Sequence, residues 1–199
     1  MADPTQDNSA DNTPDKAEEQ IAVVDADNRF LYWSGRRAIH EQRLVHRSVY
    51  VLVFDSAGRM LIQLRHRDKQ VFPLHWDISC AGHVCAEDYH AGPDEEVDLV
   101  YRNTGQRELA EELGITAPME ELAHLGPTDT HYEQTRVFRA YSDSYGHMQA
   151  AELEQVGWIS PEDFRAGLSD PSRKWTASLR RFGVWALEQG HWKAPTDAG

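Results

Sequence analysis

The hydrophobic pattern from residue 21 onward predicts short β-strands joined by tight turns. IAVVDADNRFLYWS has two apolar runs around an Asp-rich turn, a pattern typical of a β-hairpin. SVYVLVFDSAGRMLIQLR repeats it, with an apolar run at 51–54, a turn at 55–58, and then alternating Met60, Ile62 and Leu64. Shorter segments predict further strands in WDISCAGHV, TRVFRAYS and EQVGWIS.

Three segments predict helices between and after these strands. One runs up to Gly114, which is placed to end it in a left-handed conformation. A second starts with Ser160 as N-cap and Pro161 in the first helical position. TASLRRFGVWALEQG predicts a closing amphipathic helix that ends at Gly190. Because strands and helices interleave without a regular βαβ alternation, we expect an α/β fold with a mixed β-sheet and helices on its faces.

Composition divides the chain into two parts. Residues 1–20, MADPTQDNSADNTPDKAEEQ, are acidic and almost devoid of large apolar side chains, so we expect a disordered acidic tail. Residues 21–195 have the length and apolar content of one globular domain, in a chain with 40% hydrophobic residues and six tryptophans.

Charge and cysteine content limit the functions that this protein is expected to have. The formal net charge of −13 argues against binding to nucleic acid or to an anionic membrane surface. Cys80 and Cys85, the two cysteines, do not form a disulfide framework pattern. The chain has neither an apolar run of membrane-spanning length nor a signal-peptide pattern at its start. We therefore expect a cytoplasmic protein.

The segment QRELAEELGI concentrates carboxylates where a helix tolerates them least. Glu108, Glu111 and Glu112 share one helical face, and each like-charge pair at such spacing costs about 0.2–0.5 kcal/mol. The last two also lie at the negative end of the helix dipole, which costs each about 0.3–1 kcal/mol. A divalent cation would compensate for this charge.

Residues 107–115, RELAEELGI, resemble the second half of the Nudix box at every fixed position. The resemblance implies an α/β/α Nudix fold and hydrolysis of a diphosphate linked to an organic moiety, with Mg²⁺, or alternatively Mn²⁺, as cofactor. It implies metal ligands at Glu108, Glu111, Glu112 and the Gly82 carbonyl. Glu108 and Glu111 are also catalytic candidates, and Arg107 resembles the arginine that orients a carboxylate. A solvated acidic helix face is the alternative.

The first half of the box matches less closely. The resemblance implies 14 positions between the opening glycine and the arginine, whereas 25 separate Gly82 from Arg107. Counted back from the arginine, the early glutamate falls on Leu99. An insertion at 86–98 explains the difference, and four acidic residues are candidates for the missing glutamate: Glu87, Asp88, Glu95 and Glu96.

A wider stretch, HEQRLVHRSVYVLVFDSAGRMLIQLRHRDKQVFPLHWDISCAGHV, resembles the isopentenyl-diphosphate-isomerase-like branch of the same superfamily. That branch has a histidine-rich metal site, which His46 and His83 match in position. His40 is one residue away from the spacing of a third histidine. Glu133 matches the second of two paired acids, with His131 at the first. The resemblance implies a second metal site here, with Glu133 as a ligand or the general base.

One difference from the isomerase separates two reactions. Its catalytic cysteine immediately precedes the glycine, a position that Ala81 occupies here. Cys80 is one residue earlier, and in a strand this shift directs its side chain to the opposite face. We therefore expect hydrolysis, with isomerisation of isopentenyl diphosphate as the alternative. A second alternative is a non-catalytic domain that binds a nucleotide or a protein.

The sequence indicates the residues that bind the substrate less clearly than it indicates the metal ligands. Arg65 and Arg67 are candidates to bind its phosphates together with His83, although a solvated strand end explains the two arginines equally well. Trp76 and Trp158 are expected to pack in the core. The partner expected is a small-molecule diphosphate, nucleoside, sugar or isoprenoid-like in its organic part, and exposed sheet edges make a homodimer possible.

Overall fold

The computed structural model describes residues 19–69 and 71–195. Most of the predicted tail lies outside this range, but Glu19 and Gln20 lie within it, and Gln20 begins the first strand. The strands are β1 (Gln20–Val24), β2 (Phe30–Gly35), β3 (His46–Phe54), β4 (Met60–Arg65), β5 (Trp76–Asp77), β6 (Cys80–His83), β7 (Met119–Leu125), β8 (Glu133–Tyr141) and β9 (Leu153–Ile159). The α-helices are α1 (Arg36–Gln42), α2 (Val97–Leu113), α3 (Pro161–Leu168) and α4 (Ala177–Glu188).

Strand β3 is the centre of a mixed sheet. All nine of its residues are buried, and it pairs with β1 and β6 antiparallel and with β8 in parallel. Beyond it, β4 pairs with β5 and β9, and β7 pairs with β8. The two predicted hairpins, β1–β2 and β3–β4, are both present.

The two faces of this sheet carry separate hydrophobic clusters, because side chains alternate along each strand. On β3, Val49, Val51 and Val53 join Leu109 and other α2 residues. Intervening β3 side chains pack instead against α3 and α4. Helices therefore cover both faces, which confirms the α/β/α architecture. No helix in the described residues is long and apolar enough to cross a membrane.

Local sequence signals explain where the predicted helices begin and end. Gly114 ends α2 with φ of +60°, and a Cβ there would lie 2.5 Å from the backbone nitrogen of His147. The Ser160 hydroxyl accepts a hydrogen bond from the Asp163 N–H at the start of α3, as predicted. Helix α1 and strand β7 were not predicted.

The insertion after β6 is held by a buried arginine that the sequence analysis did not single out. Arg47 is 0% exposed, and its guanidinium donates hydrogen bonds to the Asn28 carbonyl, the Tyr89 hydroxyl, the Pro93 carbonyl and the Asp94 carboxylate. Three of these partners belong to the insertion, and the fourth lies in the β1–β2 turn. The insertion is therefore fixed to the sheet and the hairpin.

We predict that Arg47→Met lowers the free energy of unfolding by about 3 kcal/mol, because it removes a fully buried guanidinium and leaves its part-buried acceptors without a donor. Urea unfolding measures the change. Arg29→Met is the control, since Arg29 and its partner Asp27 are both more than 70% exposed and such pairs contribute less than about 1 kcal/mol. Equal losses in the two variants would contradict this role of Arg47.

Candidate active site

The carboxylates of α2 differ sharply in their exposure. Glu112 is 9% exposed and the side chain of Glu108 is 15% exposed, whereas that of Glu111 is 54% exposed. Residues 108 and 112 are one helical turn apart, so both face the sheet while Glu111 faces outward. The structure thus places all three in the last turns of α2, two of them buried.

Gly82 on β6 allows α2 to approach the sheet closely. A Cβ at this position would lie 2.3 Å from the Glu108 carboxyl carbon, closer than real Cβ contacts. Any other residue would displace the Glu108 side chain. The backbone of β6 and the Glu108 carboxyl therefore lie directly against each other, as the predicted metal site requires.

Ionisation of the two buried carboxyls is unfavourable in the protein alone. Burial raises the pKa of Glu108 to about 7, although Arg107 opposes the shift. Burial, and then the charge of Glu108, raises the pKa of Glu112 to about 8. Gln63 Nε2 lies 3.4 Å from Glu112 Oε2, and Cys80 also contacts this carboxyl. A divalent cation between the carboxylates would offset this cost, since Mg²⁺ prefers oxygen ligands of this kind.

No group of three or more His, Cys, Asp or Glu side chains within residues 19–69 and 71–195 is arranged to hold a metal ion. The donor set nevertheless fits Mg²⁺: Glu108 and Glu112 are largely buried carboxyls with raised pKa values, and Glu108 lies against Gly82, whose missing side chain leaves the strand backbone accessible to it. Mg²⁺ usually takes only one or two protein carboxylates and completes its shell with water and substrate phosphates.

Arg107 orients these acids. Its Nε and Nη2 donate to the two oxygens of Asp88 at 2.8 and 3.1 Å, and its Nη1 lies 3.0 Å from Glu108 Oε1 and 3.2 Å from Glu111 Oε2. This bidentate geometry gives Asp88 the place of the missing early acid. Of the four candidates named from the sequence, Asp88 is the one that pairs with Arg107.

The position of Asp88 also indicates where the extra residues lie within the box. In the box, the arginine lies 14 positions after the glycine and eight positions after the early acid, as Leu99 and Arg107 are spaced here. The early acid is therefore expected six positions after the glycine. Residue 88 is six positions after Gly82. The first half of the box is therefore intact in register, and the extra residues follow Asp88.

A second cluster contains three histidines on the other face of β6. The ring centroids of His40, His46 and His83 lie 5.1 to 6.0 Å apart. His46 is 3% exposed, and its Nδ1 lies 2.8 Å from the Leu44 carbonyl oxygen. Its Nε2 is buried and has no hydrogen-bond partner. An unpartnered buried nitrogen of this kind is where a metal ligand would be expected.

Glu133 joins this cluster through the parallel pairing of β3 with β8, in which it lies opposite His46. Its oxygens lie 3.8 Å from His46 Nε2 and 3.2 Å from His131 Nε2, and it accepts a 2.8 Å hydrogen bond from the Ser48 hydroxyl. Burial by itself would raise the pKa of Glu133, but His131 and His46 hold it well below its usual range. Glu133 is therefore a carboxylate at neutral pH.

The two clusters share β6, because successive residues of a strand point to opposite faces. Gly82 faces the carboxylates of α2, whereas His83 faces the histidines. The same alternation separates Cys80, in the cluster beside α2, from Ala81, which packs on the α4 side. This confirms the predicted change of face. Cys80 is fully buried as predicted, and burial, together with Glu112, raises its pKa so that the thiol stays protonated.

The predicted phosphate-binding arginines are engaged within the protein. Arg65 donates to the Val71 carbonyl at 3.0 Å and pairs with Asp77 at 3.2 Å. Arg67 is 66% exposed and makes two hydrogen bonds to Glu154. Their role toward a substrate stays a prediction. Packing of Trp76 and Trp158 against the core clusters is confirmed.

Two residues near these clusters were missed from the sequence. Gln63 lies on β4, where strand alternation places it beside α2, but nothing local marks it as different from a solvated glutamine. Glu19 was assigned to the acidic tail, yet its carboxylate lies 3.6 Å from His83 Nδ1 and 3.1 Å from Arg36 Nη1. The hydrophobic run that begins at Ile21 was the available signal that order starts near Glu19.

Comparisons with known proteins show the family and the fold of this chain. A family profile described as NUDIX domain matches residues 44–179. The uncharacterized Nudix hydrolase YfcD of Salmonella typhi is 31% identical over 84% of this chain and 84% of its own. An isopentenyl-diphosphate Delta-isomerase of Nocardia farcinica is 32% identical over 68% of this chain and 75% of its own. The crystal structure of DR0079 from Deinococcus radiodurans shares the fold, with a TM-score of 0.69, 21% identity, and coverage of 84% of this chain and 98% of that one.

We predict that the metal-free protein loses stability as the pH rises toward 8. The folded state holds the Glu112 proton up to a pKa of about 8, whereas an ordinary glutamate, as in the unfolded chain, has a pKa of 4.5, so folding binds protons between these values. The free energy of unfolding should fall through that window, by at most about 1.4 kcal/mol per pH unit from this group. Urea unfolding between about pH 7 and about pH 8.5 measures the slope.

Glu112→Gln should reduce this slope, and exposed Glu87→Gln is the matched control. Starting near pH 7 limits interference from His46 and His83, whose pKa values burial lowers. Added Mg²⁺ should stabilise the parent protein more at the higher pH, where the carboxylates lose their protons more readily. Identical slopes for the parent and Glu112→Gln would contradict the assignment.

Proposed function

This chain belongs to the Nudix family, and we propose that it is a hydrolase that cleaves the diphosphate linkage of a small organic diphosphate with the help of Mg²⁺. The observation that carries this proposal is the pair of neighbouring, largely buried carboxyls Glu108 and Glu112, the first of which packs against the backbone of Gly82. A structural role alone would favour apolar side chains at these positions, because burying carboxyls costs free energy. A cation site explains their presence.

In this proposal Glu108 and Glu112 would hold Mg²⁺ together with the carbonyl oxygen of Gly82, and Glu111, which faces outward, is a further candidate ligand at the solvent side. When bound, Mg²⁺ neutralises charge on the diphosphate and lowers the pKa of a bound water. Arg107 keeps the acids in place through Asp88 and its contacts with two of the glutamates. Glu111 is the first candidate for the general base, because it is the most exposed of the three and has the best access to water. Glu108 is the alternative.

Glu133 fits a ligand role better than the role of general base for this site. It lies with the histidines, on the opposite side of β6 from the carboxylates, and its carboxylate is already engaged by Ser48 and His131. We assign it to a second metal site with His46 and His83, close to His40, although these side chains would have to move closer together than they lie here to bind one ion. The unpartnered Nε2 of His46 supports this site, and imidazole with carboxylate suits Mn²⁺, Fe²⁺ or Zn²⁺.

The substrate is proposed at the level of its class. Nucleoside, sugar and isoprenoid-like diphosphates all carry the linkage that this site would cleave. The histidine face of β6 provides polar groups on the strand that adjoins the carboxylates, His83 would contact substrate phosphates or a metal bound to them, and Arg67, exposed and paired with Glu154, stays a candidate phosphate-binding residue. Arg65 would support the strand end through its pairing with Asp77.

Isomerisation of isopentenyl diphosphate is the second candidate function. It is favoured by relatives that carry this name, including one from Serratia proteamaculans at 31% identity over 85% of this chain, and by the histidine cluster. It is disfavoured because Ala81 provides no acid on the histidine face, while the Cys80 thiol lies on the other face beside Glu112.

We predict that Glu112→Gln lowers Mg²⁺-dependent turnover by about a hundredfold or more, the scale of losing one group that stabilises the transition state. The assay measures phosphate and monophosphate release from nucleoside, sugar, dinucleotide and isoprenoid diphosphates, with Mg²⁺ and with Mn²⁺. Glu87→Gln, which changes an exposed carboxylate near the site, should retain full turnover.

The outcomes of this assay separate the candidate functions. Phosphate release that depends on Glu112 supports the hydrolase. Conversion of isopentenyl diphosphate without phosphate release would support the isomerase instead. Metal-dependent binding of a diphosphate without any turnover would favour a non-catalytic domain.

We further predict that Gly82→Ala reduces turnover at least as strongly as Glu112→Gln, because its Cβ would displace the Glu108 carboxyl. Gly126→Ala is the matched control, since a Cβ there meets only Gln134 Oε1 at 4.0 Å. The measurement is the same turnover assay, accompanied by thermal unfolding of both variants. A fully active Gly82→Ala protein would exclude the proposed contact between β6 and Glu108 from catalysis.

A further inference from the structure

The residue just before β1 reaches the histidine cluster. Glu19 Oε2 lies 3.6 Å from His83 Nδ1 and 3.1 Å from Arg36 Nη1, so one carboxylate oxygen is shared between an imidazole and a guanidinium. We propose that Glu19 is a positioning residue that holds His83 in the tautomer protonated at Nδ1, which leaves Nε2 free to bind a metal. This inference rests on the second metal site proposed above.

The local structure keeps Glu19 in this place. Strand β1 pairs along β2 and contacts the start of β3, and Ile21 forms an isolated bridge with Cys85, two residues after His83. Arg36, the first residue of α1, donates a hydrogen bond to the same carboxylate oxygen at 3.1 Å and so fixes its position.

His46 shows the same arrangement with a different acceptor. Its Nδ1 lies 2.8 Å from the Leu44 carbonyl oxygen, and its Nε2 is buried without a partner. Both imidazoles therefore have an oxygen beside Nδ1, a carbonyl for His46 and a carboxylate for His83. Metal-binding histidines commonly donate their second N–H to such an oxygen, which fixes the tautomer and orients the ring.

The burial of His83 makes the position of its proton depend on its neighbours in the protein. Its side chain is only 13% exposed, and a neutral imidazole carries its single proton on one nitrogen. A carboxylate 3.6 Å from Nδ1 favours the proton there, because its negative charge attracts the N–H. Loss of Glu19 would remove that preference while leaving the ring in place.

The first test measures the tautomer of His83 in the metal-free protein by long-range ¹H–¹⁵N NMR, with the signal assigned by its loss in His83→Gln. The parent should show Nδ1 protonated, and Glu19→Ala should shift the proton toward Nε2. Glu41→Ala is the control, since Glu41 is an exposed glutamate of α1 next to His40. An unchanged tautomer in a folded Glu19→Ala protein would overturn the proposal.

The second test measures Zn²⁺ affinity by competition with a chromophoric chelator, with excess Mg²⁺ present to occupy the carboxylate site. Glu19→Ala should bind Zn²⁺ roughly 10- to 100-fold more weakly than the parent, the usual effect of losing such a supporting group. Glu41→Ala should bind like the parent. Weaker binding with an unchanged tautomer would also overturn the proposal, because Glu19 would then act as a direct ligand.

The absence of the second metal site would give a different result in the Zn²⁺ measurement. If His46→Gln binds Zn²⁺ as tightly as the parent, the second metal site is absent, and the NMR measurement alone decides the role of Glu19. Urea unfolding of each variant identifies any that fails to fold.

Discussion

The approach of the Gly82 backbone to the Glu108 carboxyl is the contact on which both candidate sites depend. Because Gly82 has no side chain, α2 packs close enough for its glutamates to reach the strand. The alternation of β6 then directs the next residue, His83, to the opposite face. One short strand thus supplies a backbone group to the carboxylates and an imidazole to the histidines, with no loop between them.

Two arginines make this crowding of acids compatible with a stable fold. Arg107 binds Asp88 with two hydrogen bonds and contacts two glutamates of α2, so it compensates charge inside the site. Arg47 is fully buried and fixes the insertion that follows Asp88. The insertion is therefore anchored at its start, at Asp88 by Arg107 and at Tyr89, Pro93 and Asp94 by Arg47.

Those parts of the structure that local signals determine could be predicted from the sequence. Both hairpins, the Ser160 cap and the end of α2 at Gly114 follow from turn residues and capping, which act within a few positions. The segment MEELAHL of β7 carries good helix formers, yet pairing with β8 makes it a strand. Helix α1 buries only Ile39, so it has no periodic pattern to detect.

Within the candidate site, the sequence names the residues of one contiguous motif and leaves open the partners that are distant in sequence. The three glutamates of α2 follow from a motif with fixed spacing, whereas Gly82 is 25 positions from Arg107 and is matched only by its local sequence. Asp88 remained one of four candidates until its contact with Arg107 was seen. Glu19 is 64 positions from His83, and it continues the run of acidic residues in the tail before it. Only the pairing of β1 with its neighbours brings the two together.

The parallel register of β3 and β8 has a consequence for how the protein folds. His46 and Glu133 face each other in the first pair of that ladder, 87 positions apart in the chain. Such a pairing closes a long loop, which makes it slow relative to hairpins and helices. A chain that has formed only its local hairpins and α2 therefore lacks the histidine cluster. The cluster exists only in molecules whose central sheet is complete, so a ligand bound there selects fully folded chains.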